Sequence, residues 1–128
     1  MKFMLLMNVK GPYQIGSWAK EEIHAHIGHM RQLNLRLKAA GQFVDAQGLM
    51  SPEQGRIVRA DDEGKPLVTD GPYAESKEFL AGFWIIDVKD RDEAYAIAAA
   101  ASIAPGPAGK PLNMPIEVRQ VGAPPPTE

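Results

Sequence analysis

The chain of 128 residues has no cysteine. Disulfide frameworks, thiolate metal sites and a cysteine nucleophile are therefore excluded. It has no excess of basic charge: 14 Lys and Arg are scattered among 16 Asp and Glu. Nucleic-acid binding draws on clustered cations that displace counterions from phosphates, and an anionic membrane surface draws on a basic run. Neither pattern occurs, so neither partner is expected. No apolar run approaches the ~20 residues that span a bilayer. The opening Met1–Met7 breaks at Asn8, Lys10, Gly11 and Pro12. Its apolar run is shorter than the roughly 7–15 residues of a secretory leader. A strand in a cytoplasmic protein is the expectation. Phosphate-cradling glycine loops are also missing: Gly106 and Gly109 lie among prolines with no helical pattern after them. A serine nucleophile elbow is absent too. No cofactor is implied.

The remaining pattern is that of an α+β domain. Lys2–Val9 is a nearly continuous apolar run and reads as a strand. Ser17 is placed to cap a helix over Trp18–Ala40, and Gly41 to close it. Ile23, Ile27, Met30, Asn34 and Leu37 fall on one helical stripe, with Leu33 beside it and Asn34 its polar exception. Phe43–Leu49 reads as a second strand. Arg56–Ala60 and Pro66–Thr69 flank a five-residue loop and read as a hairpin. Phe79–Val88 is the strongest strand. Asp90 and Glu93 open an alanine-rich helix that runs to about Ser102. Met114–Val121 is the last strand. The order β-α-β, hairpin, β-α-β predicts a ferredoxin-like split βαβ fold with an antiparallel sheet. Residues 1–121 are read as one domain and 122–128 as a flexible tail.

Helices cover only one face of such a sheet. Met4–Met7 and Phe83–Ile86 are apolar without interruption, so both of their faces call for cover. A second copy of the chain, packed sheet to sheet as a homodimer, is the simplest cover.

Asp70-Gly71-Pro72-Tyr73-Ala74-Glu75-Ser76-Lys77-Glu78, followed by Ala81–Val88, resembles the signature of the YCII-related proteins and, more narrowly, of their DGPF (DGPFAETKE) branch. The opening Lys2–Met7, Ala39-Ala40-Gly41, Gly48-Leu49, Asp90–Ala94 and Ile116–Arg119 extend the likeness over nearly the whole chain. Tyr73 stands where the branch has Phe, and Ser76 where it has Thr. The resemblance implies a ferredoxin-like protomer in a dimeric α/β barrel assembly. It implies a His–Asp pair as acid–base apparatus, in a family whose activities are largely undefined. It also implies a genomic setting beside extracytoplasmic-function sigma factors.

Three histidines, His24, His26 and His29, lie on the first predicted helix. At 100° per residue His24 and His26 diverge by about 160°, so they cannot share a site. His26 and His29, three apart, are neighbours on the surface, with Glu22 one turn before His26. A metal on that flank is the lesser reading, since such spacing is common by chance. For proton transfer, an imidazole titrates near neutrality. His29 is the first choice and His26 the second. Asp70, before the Gly71-Pro72 turn, is the carboxylate best placed to orient the ring, although Asp in that position also fixes its own turn. Tyr73, Lys77 and Trp84 are the candidates for substrate contact. The expectation is a cofactor-independent acid–base enzyme, lyase- or isomerase-like, on a small-molecule ligand. The alternative is a non-catalytic ligand-binding or interaction domain in a sigma-factor context.

Overall fold

The computed structural model describes residues 1–10, 15–71, 78–123 and 125. In chain order its main elements are β1 (Lys2–Lys10), α1 (Lys20–Ala39), β2 (Phe43–Gly48), β3 (Arg56–Ala60), β4 (Pro66–Asp70), β5 (Glu78–Asp87), α2 (Arg91–Ser102) and β6 (Ile116–Gln120). Four strands form one antiparallel sheet in the order β2-β5-β1-β6. The architecture is α+β and compatible with the expected ferredoxin-like split βαβ order. The separate β3–β4 hairpin pairs Arg56 with Asp70 and Ala60 with Pro66.

Local chemistry explains the ends of the elements. Asp90 caps α2, its carboxylate accepting from the Glu93 N–H at 2.9 Å. Gly41, at φ 72°, turns the chain out of α1, and the Gln42 N–H returns to the Leu37 carbonyl at 2.8 Å. That left-handed turn is open to glycine without a side-chain clash. The start of α1 differs from expectation. Ser17 ends a short 3₁₀ turn, and the helix begins after Ala19. Alanine has no capping oxygen. Instead Glu22 reaches back and accepts the Ala19 N–H at 2.9 Å.

The uninterrupted runs of β1 and β5 resolve into two alternating faces. Phe3, Leu5, Met7, Trp84 and Ile86 are buried in the core, against Leu33 and Leu37 of α1 and Ala94, Ala98 and Ala101 of α2. Phe3, Leu5 and Ile86 lose essentially all exposure, a contribution of roughly 1.5–3 kcal/mol each. Met4, Leu6, Phe83 and Ile85 form the opposite face and are only half-buried. The register sets them in two rows: Asp45–Ile85–Met4–Arg119, and Gln47–Phe83–Leu6–Glu117. Each row is apolar in the middle and polar at both ends.

The buried stripe of α1 is rotated from the expected one. Its buried members are His26, Leu33 and Leu37, with Met30 packed against the core, whereas Ile27 is 43% exposed. His26 holds an inward slot that sequence periodicity assigns to an aliphatic residue.

Candidate functional site

The site is built on α1 and on the edge of the sheet beneath it. His26, Met30 and Asn34 follow one another at every fourth residue, so they stack along one side of the helix. Below them lies the β2–β5 pairing, where Ala46 faces Trp84 and Gly48 faces Gly82. Two opposed glycines leave this part of the sheet without side chains. The result is a cavity of about 270 Å³, also bordered by Met7 and Leu49. Gly82 is tied to its position by close approach: a Cβ there would lie 2.8 Å from the Gln47 carbonyl oxygen. At Gly48 a Cβ would meet nothing within 4 Å.

His26 is 5% exposed and has two fixed neighbours. Its Nδ1 lies 3.1 Å from the Pro105 carbonyl, and its ring meets Trp18 edge to face at 5.4 Å between centroids. A carbonyl only accepts, so Nδ1 carries the proton, and in the neutral ring Nε2 holds the lone pair. No buried side-chain nitrogen or oxygen among the described residues lacks a partner. Nε2 has no partner among the described residues, and His26 borders the cavity. Burial pushes the His26 pKa below its ordinary 6.5; the bond to Pro105 opposes that shift and nearby His29 adds to it. At neutral pH the ring is an uncharged base.

His29 points elsewhere. Its Nε2 donates to the Ala100 carbonyl at 2.7 Å, fastening α1 to α2, and it is not among the residues lining the His26 cavity. Glu22 accepts the Ala108 N–H at 2.6 Å as well as that of Ala19. Both bonds favour the carboxylate and hold its pKa below the ordinary 4.5. Glu22 and His26, one helical turn apart, thus grip the loop from Pro105 to Ala108. Ala108 sits there at φ 61°. Glu22, His26 and His29 each turn to a different backbone group. Among the described residues no three His, Asp or Glu side chains are grouped as metal ligands.

Trp84 lies in the cavity floor, 5% exposed, and its Nε1–H donates to Oδ1 of Asn34 at 2.8 Å. This bond explains the polar exception in the α1 stripe. Asp70 ends β4, exposed, in register with Arg56, and does not line the cavity. Tyr73 and Lys77 lie outside the described residues. Glu78, the last residue of the signature, lines a second depression that shares Leu49 with the cavity. The structure therefore gathers His26 and Trp84 of the expected site residues, and adds Asn34. The sequence signal for Asn34 is the very polarity that makes it stand out from its stripe.

No helix among the described residues is long and apolar enough to cross a membrane. In comparison with known proteins, an uncharacterized protein of Rhizobium meliloti (strain 1021) is 32% identical over 82 residues, covering 64% of this chain and 65% of that protein. The chain thus matches somewhat less than two thirds of the length of this relative. Residues 1–106 match the YCII-related domain, the same family that Asp70–Glu78 and the flanking strands resemble, and the chain belongs to the YCII-related family.

Proposed function

We propose that this protein, in the DGPF branch of its family, is a cofactor-independent acid–base enzyme on a small molecule, with His26 as the proton-transfer group. The observation that carries this reading is the division of labour within one imidazole. Nδ1–H is committed to the Pro105 carbonyl, which leaves Nε2 as a lone-pair base beside a cavity. A backbone acceptor on one ring nitrogen fixes the tautomer and the ring orientation, as a carboxylate does in other His sites. The depressed pKa keeps the ring deprotonated at neutral pH, ready to accept a proton. Trp84 forms the wall against which a ligand rests. His29, bonded to the Ala100 carbonyl, fastens α1 to α2 and takes no part in proton transfer on this reading. Asp70 reads here as a turn residue, its place in the chemistry open to substitution tests.

The protomer is further proposed to work as a homodimer. Met4, Leu6, Phe83 and Ile85 make an apolar centre framed by Asp45, Gln47, Glu117 and Arg119. A second copy covers such a face with its own, and Asp45 and Arg119 offer charges of opposite sign at the ends of one row.

The test works with the substrate unidentified. The full chain is incubated in D₂O with a metabolite panel, and protein-dependent C–H exchange is read by mass spectrometry. The wild type is expected to label at least one compound, and His26→Gln, which keeps a donor for Pro105, to lose about 10²–10⁴-fold in rate. Equal labelling by the variant removes His26 from the mechanism. Labelling of nothing, together with retention of a sigma factor in a pull-down, favours the non-catalytic alternative.

A further inference from the structure

We infer that the cavity under α1 takes an uncharged ligand bearing a hydrogen-bond acceptor, such as a carbonyl or amide oxygen, which the side-chain NH₂ of Asn34 holds. The inference rests on reading the cavity as the ligand site and adds the class of ligand. Trp84 Nε1 is only a donor, so the Asn34 atom 2.8 Å from it is the amide oxygen. The amide orientation follows from that chemistry, and Nδ2 is left with two protons to donate. Nδ2 has no partner among the described residues, and Asn34, only half-buried, lines the cavity. The helix-facing lining is otherwise apolar: Met7, Met30, Ala46 and Trp84 with the bare glycines.

Charge decides against an anion. Among the described residues, none lining the cavity is Lys, Arg, Asp or Glu. His26 provides no compensating cation, because burial favours its neutral form. A carboxylate in such surroundings loses its hydration without gaining a counter-charge, which is costly. A neutral acceptor loses less and regains a hydrogen bond from Asn34. His26 and Asn34 are eight residues apart on α1, a rise of about 12 Å. The ligand is therefore held at its acceptor end by Asn34, with His26 toward the other end and Met30 alongside. A cavity of about 270 Å³ suits a compound of metabolite size.

The test uses a matched pair of probes, benzamide and benzoate, titrated calorimetrically into the full chain at neutral pH. Benzamide is expected to bind at least about tenfold more tightly than benzoate. Asn34→Asp keeps an oxygen for Trp84 and removes the NH₂ donor, so it should weaken benzamide about tenfold or more. Gly48→Val, whose side chain enters open space beside Gly82, should abolish binding while the fold is retained; it serves also if the Asn34 variant fails to fold. Benzoate binding as tightly as benzamide, indifference to Gly48→Val, or no binding of either probe at millimolar concentration overturns the proposal. Benzamide binding as described, with no proton exchange in any metabolite, removes the catalytic reading and leaves this one. Exchange confined to carboxylates does the reverse.

Discussion

Trp84 and Asn34, fifty residues apart in sequence, are joined by an indole-to-amide hydrogen bond of 2.8 Å that ties α1 to the middle of β5. The bond lies in the half-buried zone between helix and sheet, where an unpaired polar group costs more than the bond itself returns. Asn34→Ala leaves the indole N–H without its acceptor, and a loss of about 1–3 kcal/mol in unfolding free energy is expected. Trp84→Phe orphans the amide and should cost a similar amount, with added loss of packing. The double variant is the discriminating measurement: chemical denaturation of all four proteins should give losses that fall short of additivity by about 1 kcal/mol. Simple additivity would mean that the two side chains do not interact in solution.

Much of this arrangement is legible in the amino-acid sequence, and the boundary is physical. Asp90 with Glu93, Gly41 at the end of α1 and the loop between β3 and β4 each depend on neighbours a few residues away, and each lies where local pattern puts it. The role of His26 depends on Pro105, 79 residues on, and on Trp18 across a turn. Helical periodicity favours Ile23 and Ile27 because it counts apolarity and has no way to weigh a distant carbonyl. The same limit applies to Asn34, whose partner is on β5. The apolar runs of β1 and β5 do announce two apolar faces, since alternation fails in sequence whenever both sides of a strand are hydrophobic.

Gly71, inside the family signature, has a steric role. The pair after Arg56–Asp70 brings Gly71 against Gly55, where any Cβ would collide with the Gly55 carbonyl oxygen and carbon. Backbone cannot move aside as a flexible side chain can. Gly71→Ala should therefore part the base of the hairpin at a local cost of about 1–3 kcal/mol. Ile57, Val58, Leu67 and Val68 of that hairpin are all exposed, so its opening need not melt the core. Limited proteolysis between residues 56 and 70 should accelerate while the main thermal transition moves little. Gly48→Ala, which meets nothing within 4 Å, is the matched control and should leave both unchanged. Unaltered proteolysis in Gly71→Ala would show that the two glycines are not in contact.

Protonation of His26 should be visible in stability. Its pKa in the folded state lies below the ordinary 6.5, chiefly through burial. Well above 6.5 neither the folded nor the unfolded state binds the proton, and stability is independent of this group. As pH falls below 6.5 the unfolded chain takes it up first, so stability declines until the folded ring titrates as well. Glu22 acts lower on the scale. Its folded pKa is held below 4.5 by the Ala108 and Ala19 N–H groups, so its contribution is present above 4.5 and is lost as pH falls through the folded value. Melting temperatures of wild type and His26→Gln should converge from pH 7 toward pH 5, and those of wild type and Glu22→Gln only below about pH 4.5. Parallel curves for His26→Gln would show that burial does not shift the ring.

The outer face of the sheet gives the last prediction. Met4, Leu6, Phe83 and Ile85 sit next to one another across β1 and β5, and the two helices lie on the other side. If a second copy covers them, the mass in solution at micromolar concentration is twice the 14.0 kDa of the chain. Leu6→Lys then places a charge at the centre of the interface, opposite Phe83, where the cost of desolvating it outweighs the attraction of Glu117 beside it. Light scattering should show the variant at half the wild-type mass. The core is not touched by this change, because Leu5 and Met7 carry the helix-facing side of β1. Circular dichroism should accordingly keep its native shape. A wild type that sediments as a monomer would remove the homodimer. A Leu6→Lys protein that stays associated would move the interface to another surface, the exposed β3–β4 hairpin being the first to test by substituting Val58 and Val68.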